Sequence, residues 1–375
     1  MSTGNPSFQL SNASGSLPFD QGLTMYTGSF ADAFRPEIHL FGGASPAPFI
    51  FRRDIGPGTA FQFIMDADVP VPDEFNPGLE ELLGQTNFTE DGTITTDKFL
   101  VAHTKLPLDQ ALRSHYNPQF AASRGAKHAH SLARAYDRRI FTLAALNART
   151  AIATKGGLNV HNGGLRIVQG GNSATTATAI ATAYPRTAAG CTKYIDSLRL
   201  LARAADEADW PVEGRWIYQI PYMRDILQYA GSEVWSRDYY QDPNLGMREV
   251  PTIAGWKIAG YPNQMGANGS GGGPMPAGNV VGTTSKYSID CTPAATSGVP
   301  VALAFCTPRE PDSGAVAVLN RAGPIQVYKY FEETMSFLAY TAFLVDMGQM
   351  HPYLNASIEV GSSATVTAPT SLTTN

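Results

Sequence analysis

The chain has 375 residues, enough for two or three lobes with a sizeable core. Only 16% of them are charged, and 36 are glycine and 26 proline, a balance that suits a β-rich, loop-rich architecture better than a helical bundle. A net charge of −5 gives no chain-wide footprint for nucleic acid or an anionic membrane.

Residues 1–22 are small and polar and predict an extended arm that orders only against something else, followed by an apolar segment from Leu23 to Phe34. Phe49, Ile50 and Phe51, a Gly56-Pro57-Gly58 break, and then Phe61, Phe63 and Met65 at period two give a strand signal. Thr93 to His103 is again β-like, and the acidic, turn-rich stretch 66–92 lies between. Two strands flanking a polar excursion predict a long hairpin projecting from the body.

Ser123 to Arg149, SRGAKHAHSLARAYDRRIFTLAALNAR, contains no proline and is rich in alanine, leucine and arginine, which favour helix. Ala129, Leu132, Ala133, Tyr136, Ile140, Leu143 and Ala144 recur at three- and four-residue spacing, while Lys127, Arg134 and Arg138 point elsewhere. This predicts one amphipathic spine helix of roughly 40 Å with Ser123 as its N-cap. Beyond it, the glycine-rich region Lys155 to Asn172, with Leu165 to Val168 bracketed by paired glycines, reads as a small hairpin. Cys191, Ile195, Leu198, Ala202 and Ala205 mark a second amphipathic helix that stops near Trp210-Pro211. Arg215 to Ile220 is a predicted strand, Pro221 opens a short helix over Tyr222 to Ala230 with Gly231 as its C-cap, and Gly255 to Tyr261 is a further strand. Asn263 to Gly282 is too glycine-rich to pack and predicts a surface loop. Strands resume at Val299 to Phe305 and Ala315 to Leu319, Ile325 to Val360 reads as one long return strand with a bend at His351-Pro352, and the Ser/Thr-rich tail follows.

Chemistry is hard to find. The glycine cluster at 266–273 contains no GxxxxGK[ST] phosphate loop, and Ser270 lacks the glycine two residues earlier that a nucleophile elbow needs. His128 and His130 lie about 200° apart around the spine helix and cannot share one metal, so no metal, cofactor or catalytic residue is predicted. Asp66 and Asp68, Glu80 and Glu81, and Glu332 and Glu333 are carboxylate pairs of the kind a hydrolase uses, but their spacing does not separate catalysis from a solvated surface. Lys127, Arg134, Arg138 and Arg139 read as a solvated face, with transient polyanion contact as the alternative and no interleaved aromatics for stacking. Cys191, Cys291 and Cys306, odd in number and without CxxC spacing, suggest neither a disulfide framework nor a zinc site. The N-terminus lacks a basic region followed by an apolar core, and no apolar run approaches the ~18 residues of a bilayer span; synthesis in the cytoplasm, without a membrane partner, is expected.

The order of arm, projecting hairpin, spine helix, second helix, strand-helix-strand lobe, loop and return strand resembles the major capsid protein of tailed bacteriophages, the Hong Kong 97-like coat fold. Local motifs resemble its short-tailed, podovirus-type branch. They include Met25-Tyr26-Thr27-Gly28-Ser29-Phe30 through Phe34-Arg35, Asp54-Ile55-Gly56 with Phe61-Gln62-Phe63, and Asn76-Pro77-Gly78. Ser114-His115-Tyr116-Asn117, Arg215 through Tyr222, and Ile253 through Ile258 running into Tyr261-Pro262-Asn263 are similar to later parts of the family pattern. The family often has Phe-Pro where Phe63-Ile64 stands, and Leu40 to Pro48 is longer than its pattern.

The resemblance implies an α+β fold divided into an N-terminal arm (1–50), an extended loop (51–104), a peripheral domain with the spine helix (105–210), an axial domain (211–324), a return to the peripheral domain (325–360) and a tail (361–375). It implies self-assembly into hexamers and pentamers of an icosahedral shell around double-stranded DNA, with scaffold, portal and decoration proteins as partners. Phe75, Leu79, Leu82 and Leu83 in the hairpin are the expected intersubunit contacts. The rival expectations are a β-rich hydrolase and a phage tail or decoration protein.

Overall fold

The computed structural model describes residues 17–37, 49–55, 60–66, 89–96, 99–107, 117–151, 153–155, 158–161, 163–170, 176–227, 229, 252–260, 286–287, 289, 298–308, 313–331 and 336–361. The first element is a helix, α1 (Leu17–Glu37), so residues 17–22 are helical where an extended arm was expected. The helix is decided by what it lies on. Tyr26 and Phe30 are buried against the spine helix α2 (Asn117–Ala148), which begins six residues before the predicted Ser123 cap. Gly125 makes the approach possible, because a Cβ there would collide with the Tyr26 carbonyl and the Ser29 hydroxyl; Ser29 instead donates to the Ala122 carbonyl at 2.8 Å. At 1.5 Å per residue α2 runs about 48 Å. All seven residues of its predicted apolar stripe are buried.

Strands β1 (Ile50–Asp54), β2 (Ala60–Asp66), β3 (Thr89–Thr95) and β4 (Leu100–Pro107) precede the spine. β2 and β3 pair antiparallel from Ala60↔Thr95 to Asp66↔Thr89, which is the predicted hairpin. The β-like run from Thr93 to His103 is divided between two sheets, with β4 leaving the hairpin for the body.

After the spine come β5 (Ala153–Lys155) and β6 (Leu158–His161), a small antiparallel pair, and then β7 (Leu165–Gly170). The small hairpin therefore occupies 153–161, at the start of that glycine-rich region, and Leu165–Val168 forms an edge strand. Helices α3 (Thr176–Ala183) and α4 (Ala188–Glu207) follow, the latter capped by the Thr187 hydroxyl accepting from the Gly190 N–H. Cys191, Ile195, Leu198 and Ala205 of the predicted α4 stripe are buried, and Ala202 is half-buried. Strand β8 (Arg215–Gln219), helix α5 (Pro221–Leu227) with proline at its first turn, and strands β9 (Thr252–Ile253) and β10 (Trp256–Gly260) build the middle of the chain. The predicted loop Asn263–Gly282 and the C-cap Gly231 lie outside the described residues.

The last strands are β11 (Val299–Cys306), β12 (Val316–Phe331), β13 (Ser336–Gln349) and β14 (Asn355–Gly361). Ile325 to Val360 is thus not one return strand. The second half of β12 pairs antiparallel with β13, and the chain then turns at Pro352 into β14, which belongs to a different sheet. Branched and aromatic residues mark all of this as strand, but the reversal between β12 and β13 carries no glycine or proline signal.

Two sheets flank the spine. One is four-stranded, in the order β1-β12-β13-β4; the other is six-stranded, in the order β7-β14-β11-β8-β10-β9. They meet at an aromatic cluster in which Phe49, entering β1, stacks on Phe305 of β11 at 4.2 Å, with Tyr218 of β8 edge-on to both and Phe141 of α2 edge-on to Tyr218 and tilted on Phe305. Such pairs are each worth about 0.5–1.5 kcal/mol beyond their burial. Asn147 near the end of α2 and Asn355 at the start of β14 both donate to the Ala315 carbonyl, at 2.8 and 3.2 Å, which fixes where β12 begins.

Candidate functional site

The base of the β2–β3 hairpin is tied to the body. Phe51, Ile94, Ala317, Leu319 and Met350 form a buried cluster, with Ile55, Phe61 and Phe63 half-buried against it. Phe63 lies across Gly92 on the opposite strand, where any side chain would strike its ring, so the aromatic covers a gap the glycine leaves. Lys286 donates to the Met347 carbonyl at 2.6 Å and the Thr95 carbonyl at 3.2 Å, clipping the hairpin's return strand to the four-stranded sheet. Toward the tip the ribbon loses its cover, and Ile64 is 64% exposed. Phe75, Leu79, Leu82 and Leu83 lie outside the described residues.

A second constellation holds α1 on the spine. The Tyr26 hydroxyl lies 2.6 Å from His128 Nδ1 and 2.7 Å from Thr341 Oγ1, and His128 Nε2 lies 2.7 Å from Thr104 Oγ1. One self-consistent proton arrangement has Tyr26 donating to Nδ1 and accepting from Thr341, with Nε2–H donating to Thr104, so neutral imidazole satisfies every partner. Burial foremost, then the charges of Arg124 and His103, pushes His128 down from 6.5 to about 4, and burial pushes Tyr26 up to about 12.

A folded-state value below the unfolded one means that this stability is fully present above about pH 6.5 and is lost as pH falls toward 4, because the unfolded chain takes the proton first. The full swing is at most about 3 kcal/mol. The expected result is a falling thermal midpoint and rising hydrogen exchange in α1 between pH 6.5 and 4, flattened in His128→Asn. An unchanged pH profile in that variant would refute the assignment.

The third constellation sits where α2 ends. Glu359 of β14 is fully buried and accepts from Arg149 Nε at 2.9 Å, Arg149 Nη2 at 3.1 Å, Arg166 Nε at 3.0 Å and the Ser357 hydroxyl at 3.1 Å. Arg149 Nη2 also donates to the Gly298 carbonyl at 2.6 Å. Sequence reasoning missed both of these constellations. The one available signal was the lone acid in the otherwise uncharged NASIEVG strand, which calls for a buried cation.

Among the described residues no group of three or more His, Cys, Asp or Glu is placed to hold a metal ion. Both ring nitrogens of His128 are taken up by Tyr26 and Thr104. Asp66 ends β2, and the remaining predicted carboxylate pairs lie outside the described residues, so the hydrolase expectation has no site among those described. No described helix is long and apolar enough to cross a membrane.

No protein-family model and no curated protein sequence matches the chain. Solved structures do match. The capsid of cyanophage P-SCSP1u superposes with a TM-score of 0.59 at 19% identity, over 84% of this chain and 87% of that one. The bacteriophage PhiM1 mature capsid gives 0.57 at 16% identity, over 84% and 86%. The capsid of Ralstonia phage GP4 gives 0.50 at 10% identity, over 84% and 90%. The chain has the α+β fold of phage capsid proteins over most of its length.

Proposed function

We propose that this chain is the major capsid protein of a phage, the subunit that closes the icosahedral head around double-stranded DNA. The observation that carries the reading is the extent of the likeness. More than four-fifths of the chain superposes on phage capsid proteins, which leaves little room for a grafted catalytic lobe. Its work on this reading is mechanical, in a virion, with no active site.

Within the shell, 51–104 is the extended loop, 105–210 with 325–360 the peripheral domain, and 211–324 the axial domain, with 1–50 as arm and 361–375 as tail. The domain limit at 324 falls inside β12, so the two domains share that strand. A two-stranded ribbon is marginal on its own in water, and β2–β3 gains cover when Phe75, Leu79, Leu82 and Leu83 lie on an adjacent subunit. Many such contacts, each weak, act together when hexamers and pentamers close. Scaffold, portal and decoration proteins are the expected partners, and the short-tailed branch is favoured by the local motifs already described.

Negative-stain imaging of the expressed chain, with and without a co-expressed scaffold, tests the reading. Closed shells of uniform diameter support it, and fibres or an obligate monomer overturn it. Thiols enter the same experiment. Cys191 and Cys306 are buried thiols, and burial raises the Cys191 thiol above its ordinary value. Shells are therefore expected to survive reductant unchanged, and shells that come apart on reductant alone would count against this.

A further inference from the structure

The spine helix carries a feature that neither the core nor the hairpin uses. Arg124, Lys127, Ser131, Arg134 and Arg138 follow one another at intervals of three, four, three and four residues. At ~100° per residue they occupy an arc of roughly 80°, centred about 180° from the buried Ala129–Ala144 stripe. Lys127, Ser131 and Arg134 are exposed, and Arg124 and Arg138 are half-buried. Within α2 five basic residues face a single acid, Asp137, which is itself buried, in a chain whose net charge is −5.

No carboxylate among the described residues pairs with Arg124, Lys127, Arg134 or Arg138, whereas the exposed arginines of α4, Arg199 and Arg203, each have an acid one turn away. Arg138 Nε is buried without a hydrogen-bond partner, and burial together with the Arg134 charge pushes the Arg138 guanidinium below its ordinary value. Arg139 is turned away, over the Tyr287 ring at 4.6 Å. Among the described residues the stripe is thus a line of like charges without paired carboxylates.

We propose that the Arg124–Arg138 stripe of α2 binds the phosphate backbone of duplex nucleic acid without reading sequence, and that it turns the spine side of the subunit toward the packaged DNA. The second half of this rests on the capsid reading above. The stripe spans about 21 Å, or about six base pairs of duplex. Phe120, one turn before Arg124 on α2, has the Arg124 guanidinium over its ring at 4.9 Å, so it is not an open platform for an unstacked base of a single strand. A protein helix would need apolar anchors, and the exposed large hydrophobics among the described residues all lie outside α2. Arginine and lysine alone, evenly spaced, fit a regular polyanion.

The test uses the full-length chain as unassembled subunits or capsomers and a short mixed-sequence DNA duplex, with binding followed as salt is raised. Up to four phosphate contacts predict a log–log salt slope of about −3 to −4. In Lys127→Gln/Arg134→Gln the slope is expected to be shallower by about 2 and low-salt affinity to fall at least about tenfold. Lys127→Arg/Arg134→Lys should restore both, and Arg203→Gln should change neither. An unchanged slope in the double Gln variant overturns the proposal, as does tighter binding to polyglutamate than to duplex at matched charge, which would assign the stripe to an acidic protein. Each variant is also scored for closed shells. Shells from the double Gln variant with binding lost support the stripe, whereas duplex binding through the stripe by a wild type that forms no shells supports the surface and overturns the capsid reading alone.

Discussion

A chain in which residues 68–90 are replaced by a short Gly-Ser linker is expected to fold with normal helix content and to form no closed shells. The replacement removes the outermost pairs of the hairpin, Met65↔Glu90 and Asp66↔Thr89, and leaves Ala60↔Thr95 through Ile64↔Asp91 in register. Everything that anchors the base survives: the Phe51, Ile94, Ala317, Leu319 and Met350 cluster, Phe63 over Gly92, and the Lys286 clip on Thr95. What is lost is Phe75, Leu79, Leu82 and Leu83, each worth on the order of 1.5–3 kcal/mol if fully buried on a neighbour. Shell closure multiplies that loss over every interface. Circular dichroism and negative-stain imaging read the two halves of the expectation separately. Intact shells would show that the hairpin is no brace between subunits, and an unfolded subunit would place residues 68–90 in the core.

The second large effect is expected at Glu359. Replacing it with glutamine keeps the shape and removes the charge that Arg149 and Arg166 share. Breaking a buried pair from one side costs about 3–5 kcal/mol, because the partners keep their desolvation penalty without the attraction that offset it. Here two guanidinium groups are stranded, one of them also holding the Gly298 carbonyl. Arg166→Gln should cost less, since Arg149 still neutralises the carboxylate and the Arg166 side chain is 23% exposed. Denaturant unfolding of the two variants decides the matter. Equal losses, within about 1 kcal/mol, would mean that the charges are not balanced as this geometry implies.

The long elements were legible because their signal is local and repeated. Seven apolar positions at helical spacing placed the buried face of the spine correctly, and the same pattern, with Trp210-Pro211 as a stop, found α4. Period-two aromatics found β2, and Pro221 found the start of α5. The chain reversal after β12 was missed because Glu332 to Met335, between two runs of strand formers, holds no glycine or proline, so only the Val316↔Gln349 to Phe331↔Ser336 pairing shows that one apparent strand is two. Helix α1 was missed because Pro18, Gly22 and Gly28 interrupt its helical signal, and its burial depends on Gly125 of the spine, ninety-seven residues after Gly28 along the chain.

What the sequence by itself determined is the set of segments and their apolar faces, since period and composition act within a few residues of each other. The basic residues of the spine were visible there too, as a charge run with two readings. The tertiary structure alone decided which strands share a sheet, that Tyr26 meets His128 and Thr341, and that Glu359 lies between Arg149 and Arg166. It also decided that, among the described residues, no acid pairs with the spine arginines while those of α4 are paired. The Tyr26 and Glu359 contacts join residues 102 to 315 positions apart, and hydrophobic collapse sets them without regard to distance along the chain: burial drives apolar faces together, and the polar groups carried in with them must then find partners where they land.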